Sequence, residues 1–400
     1  MPGTRMFFCD PFGRTDVDAL FNHGRDDLIE NDYVFMHDQE PIHMDLHQNL
    51  FDEVIVRCTD IFQRTEDPTW TDSDLGKWAG FYSIKHGPIN LSIHGGREEK
   101  PNLSLQELIR QGYVKNKIGH IVTSEKGEFV KHLSDTYGWQ THYYFFHGWA
   151  SMDWYRGYDR TFLIPRARDR NPTKTYISPN RIIAGKRDHR VLFLYHIFKN
   201  HLDDNWLSAP RVCAYENIDI LKIAHRYTNT YPDILQVLEQ APLPKLFPGE
   251  DVQPMTSCWL TNFAESSDSL LYVPTETVYF GARSHITEKT FKAIALEMPF
   301  VLVAPAGSLA YMRAYGFRTF GDVIDESYDE ETDDMRRLEK IAKLLRDLNQ
   351  LTISERQQLH RAMLPAVEHN FNHFYRGGLA EILWQELMGM LNGLRSAVRR

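Results

Sequence analysis

Cysteine is scarce in this chain of 400 residues: Cys9, Cys58, Cys213 and Cys258 stand far apart, with no C-x-x-C pair. That pattern argues against a disulfide framework and against a thiolate zinc site, and it fits a reducing cytosol. Long apolar runs are missing too. No stretch approaches the roughly 18 uninterrupted apolar residues of a membrane helix. Met1–Asp10 lack a charged region followed by an apolar run. The expectation is a cytoplasmic chain with neither signal peptide nor membrane span. There is no internal repeat and no low-complexity tract. Neither G-x-G-x-x-G nor G-x-x-x-x-G-K-[ST] occurs, which speaks against a dinucleotide enzyme or a P-loop ATPase. Positive charge is in the minority, with 45 Lys and Arg against 54 Asp and Glu and a net charge of −9. A protein that holds long nucleic acid by charge alone is usually basic. Two segments run against that average: Arg166–Arg190, which carries Arg166, Arg168, Arg170, Lys174, Arg181, Lys186, Arg187 and Arg190, and the tail with Arg395, Arg399 and Arg400.

What is present has the rhythm of an α/β protein. Short apolar runs end in polar clusters: Val34–Met36, Glu53–Arg57, His120–Ser124 and His142–His147. A helix-like stretch, Glu125–Tyr137, follows the third. Such alternation predicts a parallel sheet covered on both faces. Pro165, Pro172 and Pro179 punctuate an Arg-rich link, after which a second α/β unit begins. It contains a strand candidate at Leu270–Val273, and an amphipathic helix over Lys289–Met298 with Phe291, Ile294, Ala295 and Met298 on one face. Pro299 stops that helix, and the buried strand Phe300–Ala304 follows. Gly307 and Ser308 open a short helix, and three more helices are expected at Arg336–Asn349, Ser354–Asn370 and Gly378–Leu394. The predicted organisation is residues 1–172, residues 173–350, and C-terminal helices over 351–400 packing back on the body. In open parallel sheets ligands bind beyond the carboxyl ends of the strands, where these polar clusters fall.

The densest chemistry lies in Ser284–Lys292. A polar turn opens a helix whose first-turn N–H groups and positive dipole end suit an anion. Lys289 and Lys292 add cationic charge, and Glu288 can accept from a pair of vicinal hydroxyls. The same residues also read as a plainly capped helix, with Thr287 as N-cap and Glu288 favoured by the dipole.

The run Ile286-Thr287-Glu288-Lys289, with Glu276 upstream and a strand after Pro299, resembles the donor-binding motif of the α-1,3-fucosyltransferase family. Ser178-Pro179-Asn180-Arg181 and His189-Arg190 resemble that family's Asn-Arg…His-Arg segment. The likeness covers roughly Tyr176–Ala304. His285 and Thr277 stand where the family carries tyrosine and asparagine. The sequence is also similar to glycosyltransferase-like proteins of tailed phages, including His37–Pro41 and Phe146–Trp149. The resemblance implies a GT-B fold, two Rossmann-like domains facing a cleft. It implies a glycosyltransferase that uses a nucleotide-diphosphate sugar as co-substrate, with no metal and no other cofactor. The donor site would comprise Asn180, Arg181, His189, Arg190, Glu276, Thr287, Glu288 and Lys289. Arg190 and Lys289 would neutralise the diphosphate, and Glu288 would hold the ribose or the sugar.

The N-terminal cluster His37, Asp38, Glu40, His43, Asp45 and His47 offers a carboxylate base, Asp38 or Glu40, to take the acceptor's proton. His43 and His47, four apart, can instead hold a divalent metal with one of those carboxylates, as in a hydrolase. A non-catalytic nucleotide-sugar-binding protein is the third reading. Trp149, Trp154, Tyr155 and Arg156, in a segment rich in aromatic residues, are candidates for an acceptor groove. Rings beside cations suit a surface glycan or a hydroxylated base in phage DNA. His94–Arg97 is a Gly-Gly turn beside a cation, a weak phosphate cradle.

Overall fold

The computed structural model describes residues 35–36, 55–57, 120–123, 126–127, 131, 135, 140–155, 164–183, 187–213, 217–250 and 260–398. These fall into two compact units. One holds the described residues before Phe145 together with the chain end from Glu386, and the other is Phe145–Gln385. Both contain parallel sheet, and helices predominate, so the chain is of mixed α/β character. No described helix is long and apolar enough to cross a membrane.

The first unit contains β1 (Phe35–Met36), β2 (Ile55–Arg57), β3 (His120–Thr123) and β4 (Gln140–Tyr143). They pair in that order and all run parallel, with Val56 opposite Ile121 and Ile121 opposite Thr141. Four apolar runs thus give the four strands expected of them. The fourth departs in its bounds: Phe146 and His147, expected to close it, open helix α1 (Phe146–Tyr155) instead. Tertiary packing decides this. Phe145 is fully buried against Phe291, Tyr311 and Tyr315. One turn on, Gly148 lies where a Cβ would sit 3.0 Å from Leu383.

The second unit is built on β5 (Lys174–Ser178), β6 (Trp206–Leu207) and β7 (Ser269–Tyr272). β5 is central, parallel to β6 on one side and to β7 on the other. Residues 300–303 extend the sheet beyond β7 through parallel bridges at Tyr272–Phe300 and Thr275–Val303. Thr175–Ser178, Leu270–Val273 and Phe300–Ala304 are all buried, as befits strands covered on both faces. The chain first steps from β5 to β6, then returns across β5 to β7 and continues outward. Right-handed crossovers in opposite directions put the connecting helices on opposite faces. The helices in chain order after α1 are α2 (Asp188–Lys199), α3 (Ile220–Ala224), α4 (Ile234–Gln240), α5 (Phe263–Asp268), α6 (Glu288–Ala295), α7 (Ser308–Ala314), α8 (Asp334–Asn349), α9 (Ile353–Tyr375) and α10 (Gly378–Val398). α2 packs with α4 and α8, whereas α6 packs with α1 and α9.

The division differs from the expected break at 172/173. Residues 145–172 belong with the second unit because α1 packs on α6 and the turn Ala167–Asp169 packs on α9. Part of the basic run is consumed in this docking. Arg170 is buried and donates to Pro165 O, Leu296 O and Glu297 O, and Arg166 pairs with Glu297 at 2.6 Å. Glu297 also accepts from Ala167 N at 2.9 Å. α6 accordingly ends three residues before the expected Met298. Glu297 takes a left-handed φ of 52°, and Met298 N donates back to Ala293 O, a Schellman-type closure. Arg170 holds the end carbonyls.

Arg337 and His196 are among the buried groups that carry charge or can acquire it. Arg337, 1% exposed, donates to Ala304 O, Glu331 O, Tyr279 O and Asp334 Oδ1, and its guanidinium lies over the Tyr279 ring. Removing it leaves buried acceptors without donors. Arg337→Ala is expected to destabilise the protein by about 3 kcal/mol. Exposed Lys340, paired with Glu331, serves as control, with Lys340→Ala costing less than about 1 kcal/mol. Urea midpoints of the two variants check this. His196 is buried between Tyr195 and Tyr231, and burial pulls its pKa from 6.5 down to about 4. The unfolded chain then binds a proton that the folded chain refuses, so stability falls as pH drops from 6.5 towards 4. His196→Phe should flatten that acid loss in a pH series of urea midpoints, and an unchanged slope would contradict the assignment.

Candidate functional site

β5 and β7 are adjacent strands whose chains leave in opposite directions, the topological switch point at which open parallel sheets form a ligand crevice. The residues that follow those two strands meet there. Ser178 ends β5 and donates to Val273 O at 2.8 Å. Asn180, fully buried, donates to Ser178 Oγ at 3.1 Å and accepts from Thr275 Oγ1 at 2.6 Å. Short polar side chains thus stitch the two strand ends together at the point where neither can continue the ladder.

Helix α2 enters from one face. Its His189 is fully buried, and burial together with neighbouring Arg190 holds the imidazole well below its ordinary range. The neutral ring donates from Nε2 to Glu276 O at 2.9 Å, because a carbonyl can only accept, and it stacks on Tyr279 at 5.1 Å. Arg190, 4% exposed, donates to Ile182 O at 2.7 Å, Thr275 O at 2.9 Å and Glu276 O at 3.2 Å. Burial and the nearby Arg187 pull its pKa down to about 9, which leaves it charged at neutral pH. Its hydrogen-bond partners are backbone carbonyls, and its Nε has none.

Helix α6 enters from the other face and is organised by Glu276. That carboxylate is fully buried. It accepts from Thr287 Oγ1, from Thr287 N at 3.2 Å, from Thr290 Oγ1 at 2.6 Å and from Thr277 N at 3.3 Å. Thr287 is the N-cap, its hydroxyl accepting from Lys289 N. The first-turn donors that the sequence offers to an outside anion are thus served in part by an internal carboxylate.

Glu288 and Lys289 form the outer part. Glu288 is 4% exposed. Burial opposes its charge, but Lys289, His147 and Lys292 outweigh burial and hold the carboxyl well below the usual range. Its Oε1 accepts from Lys289 Nζ at 2.8 Å, and its Oε2 lies 3.9 Å from His147 Nδ1. Lys289 Nζ also donates to Thr277 Oγ1 at 2.9 Å and Thr287 Oγ1 at 3.2 Å, and the side chain keeps 29% of its surface exposed.

Of the expected donor-site residues, Asn180, His189, Arg190, Glu276, Thr287, Glu288 and Lys289 come together here. Arg181 faces a different partner, the buried Glu250, at 3.6 Å. In the expected acceptor groove, Tyr155 is fully buried with its hydroxyl donating to Glu288 O at 3.4 Å, so its ring belongs to the core. Trp149 meets half-exposed Trp384 edge to face at 6.3 Å. Trp154 is half-buried on α1. Asp38, Glu40, Arg156 and the histidines His37, His43 and His47 lie outside the described residues, as does His94–Arg97. Among the described residues no group of three or more His, Cys, Asp or Glu is arranged to hold a metal. Three contributors were given no role in the sequence reading. Thr290 has a visible signal, since Thr287-x-x-Thr290 puts two hydroxyls on one side of a first turn. Thr275 has none, and for His147 the Phe146–Trp149 stretch points to no partner, since their partners lie far off in the chain.

No protein-family profile, curated protein or solved structure matches the chain.

Glu276→Gln keeps the shape but replaces an acceptor oxygen with an NH2 that opposes inward-pointing donors. A loss of about 2–3 kcal/mol is expected, with faster amide exchange at Thr277 and Thr287. A variant as stable and as protected as the parent would contradict this account of Glu276.

Proposed function

We propose that the chain is a glycosyltransferase that moves a sugar from a nucleotide-diphosphate donor to an acceptor hydroxyl, with the donor held at the crevice between β5 and β7. The observation that carries this reading is the convergence of a buried guanidinium bonded to carbonyls, a part-exposed ammonium and an ionised carboxylate at the switch point of a parallel sheet. A leaving diphosphate gains charge as the glycosidic bond breaks, and Arg190 and Lys289 are fixed in place before that charge develops. Such a site favours direct displacement with inversion, without a metal. Lys289 is the cation with exposed surface, so it is assigned to the phosphates. Arg190 acts behind it, holding the 275–276 and 182 carbonyls and adding positive potential.

The wider arrangement proposed is GT-B, with a parallel sheet in each unit and the catalytic base assigned to the N-terminal one. Asp38 or Glu40 would supply the base there. The acceptor is a surface glycan or a hydroxylated base in phage DNA. The Trp149–Trp384 pair supports a ring-stacking acceptor. The net charge of −9 and the internal engagement of Arg166 and Arg170 favour the glycan.

A thermal-shift panel of nucleoside diphosphates and nucleotide sugars tests the donor. A ligand that binds only the folded state at a hundred times its Kd adds about 2.7 kcal/mol. At least one nucleotide sugar should raise the melting point. Lys289→Met should weaken it about ten- to a hundredfold, as expected for one charged hydrogen bond of about 1.5–3 kcal/mol. Turnover should persist in EDTA. No shift with any nucleotide would overturn the proposal, and activity abolished by EDTA and restored by one metal ion would favour a metal-dependent hydrolase.

A further inference from the structure

Lys289 is the cation that the crevice offers to phosphates, yet its ammonium is already engaged. An ammonium has three N–H donors. Three acceptors surround this one: Glu288 Oε1 at 2.8 Å, Thr277 Oγ1 at 2.9 Å and Thr287 Oγ1 at 3.2 Å. Thr287 gives its own hydroxyl proton to Glu276, so towards Lys289 it only accepts. A cation in the first turn of a helix also runs against the dipole. Lys289 and Glu288 are adjacent in α6, and neighbours i and i+1 do not face each other on a helix. Their close contact therefore means that the ammonium is drawn back over the helix start, where Thr277 of the loop after β7 receives it. Burial opposes the charge on Glu288, and Lys289, His147 and Lys292 outweigh burial and keep it ionised. One of the three acceptors on the ammonium is thus a full negative charge, 4% exposed and built into the preceding residue.

We propose that Glu288 determines which anions the site takes: it holds Lys289 as an internal counter-ion, disfavours free phosphate and pyrophosphate, and yields to a phosphate that an attached organic group also anchors. This rests on the reading of Lys289 as the phosphate cation. With three acceptors in place, an anion that approaches the 29% of the lysine left exposed bonds to it only by displacing one of them. Displacing a threonine hydroxyl leaves the anion beside the Glu288 carboxylate, and like charges that close repel. Displacing Glu288 leaves a buried carboxylate without the ammonium at 2.8 Å. Either route cancels much of the attraction of Lys289 for an inorganic anion. A nucleoside diphosphate adds the contacts of its base and ribose, so it still binds. The discrimination comes from a repulsive element placed against the wrong ligand.

The test titrates inorganic pyrophosphate into the full chain by calorimetry. The parent should bind it weakly. Glu288→Gln keeps an oxygen for Lys289 and removes the charge. It should bind pyrophosphate at least about tenfold more tightly, as expected for removing a like charge a few ångströms away at an effective dielectric of about 20. Glu288→Ala is titrated beside it as a second neutral variant, with the same direction of change. Lys289→Met in the Glu288→Gln background should abolish the gain, and a gain that survives it overturns the assignment of the anion to Lys289. Thr277→Val frees a donor without removing a charge and should gain less than Glu288→Gln; an equal gain overturns the role of the charge. A parent that binds pyrophosphate as tightly as the nucleotide sugar also overturns the proposal. So does an unchanged or weaker affinity in both neutral variants, and if a nucleotide sugar still raises the melting point of the parent, the glycosyltransferase reading stands. A gain in the neutral variants with no nucleotide sugar binding the parent has the converse meaning: the counter-ion role of Glu288 stands and the donor reading falls.

Discussion

Glu276 is the residue on which the second unit's working edge depends, because both of its polar ends are used. Its backbone oxygen accepts from His189 and Arg190 of α2, and its carboxylate accepts from Thr287 and Thr290 at the start of α6. Those helices cover opposite faces of the sheet. A single residue beyond β7 therefore ties together the starts of α2 and α6. A buried carboxylate with four donors is stable only if every donor keeps its place, so the cost of moving any one of them is spread over the crevice.

That arrangement also fixes the electrostatics. Arg190 is satisfied largely by neutral carbonyls, which orient the guanidinium without cancelling its charge. The nearest negative charge of the outer site, Glu288, is committed to Lys289 and faces His147. Lys289 keeps 29% of its side chain exposed, whereas Arg190 is buried.

Much of this was legible in the chain itself, and the misreadings have physical causes. Phe300–Ala304 is a continuous apolar run after a proline, and no helix of that length would be credible. The four N-terminal strands announced themselves in the same way. Phe146 and His147 misled because the β propensity of their run is strong while its end was decided by Phe291 and Leu383, more than a hundred residues away. The interdomain break was placed by prolines, yet residues 165–170 are tied down by Glu297. In the site, the identities of Arg190, Glu276 and Glu288 were readable. Their partners were not, because Arg190 is held by backbone carbonyls, which no side-chain pattern encodes. Thr287 and Thr290 join Glu276 across eleven and fourteen residues.

The left-handed turn at Glu297 bears on how this protein can be cut. An L-residue in that conformation costs roughly 1–2 kcal/mol, and it is offset here by Arg166, Ala167 and Arg170, which reach it from the far side of β5 in sequence. A fragment beginning near residue 173 would keep every strand of the second sheet and every residue of the crevice. It would nonetheless lose the Arg166 and Ala167 contacts to the Glu297 carboxylate and the Arg170 donors to Leu296 O and Glu297 O. The smallest autonomous piece is therefore bounded not by the sheet but by this clasp, and it must start upstream, with α1.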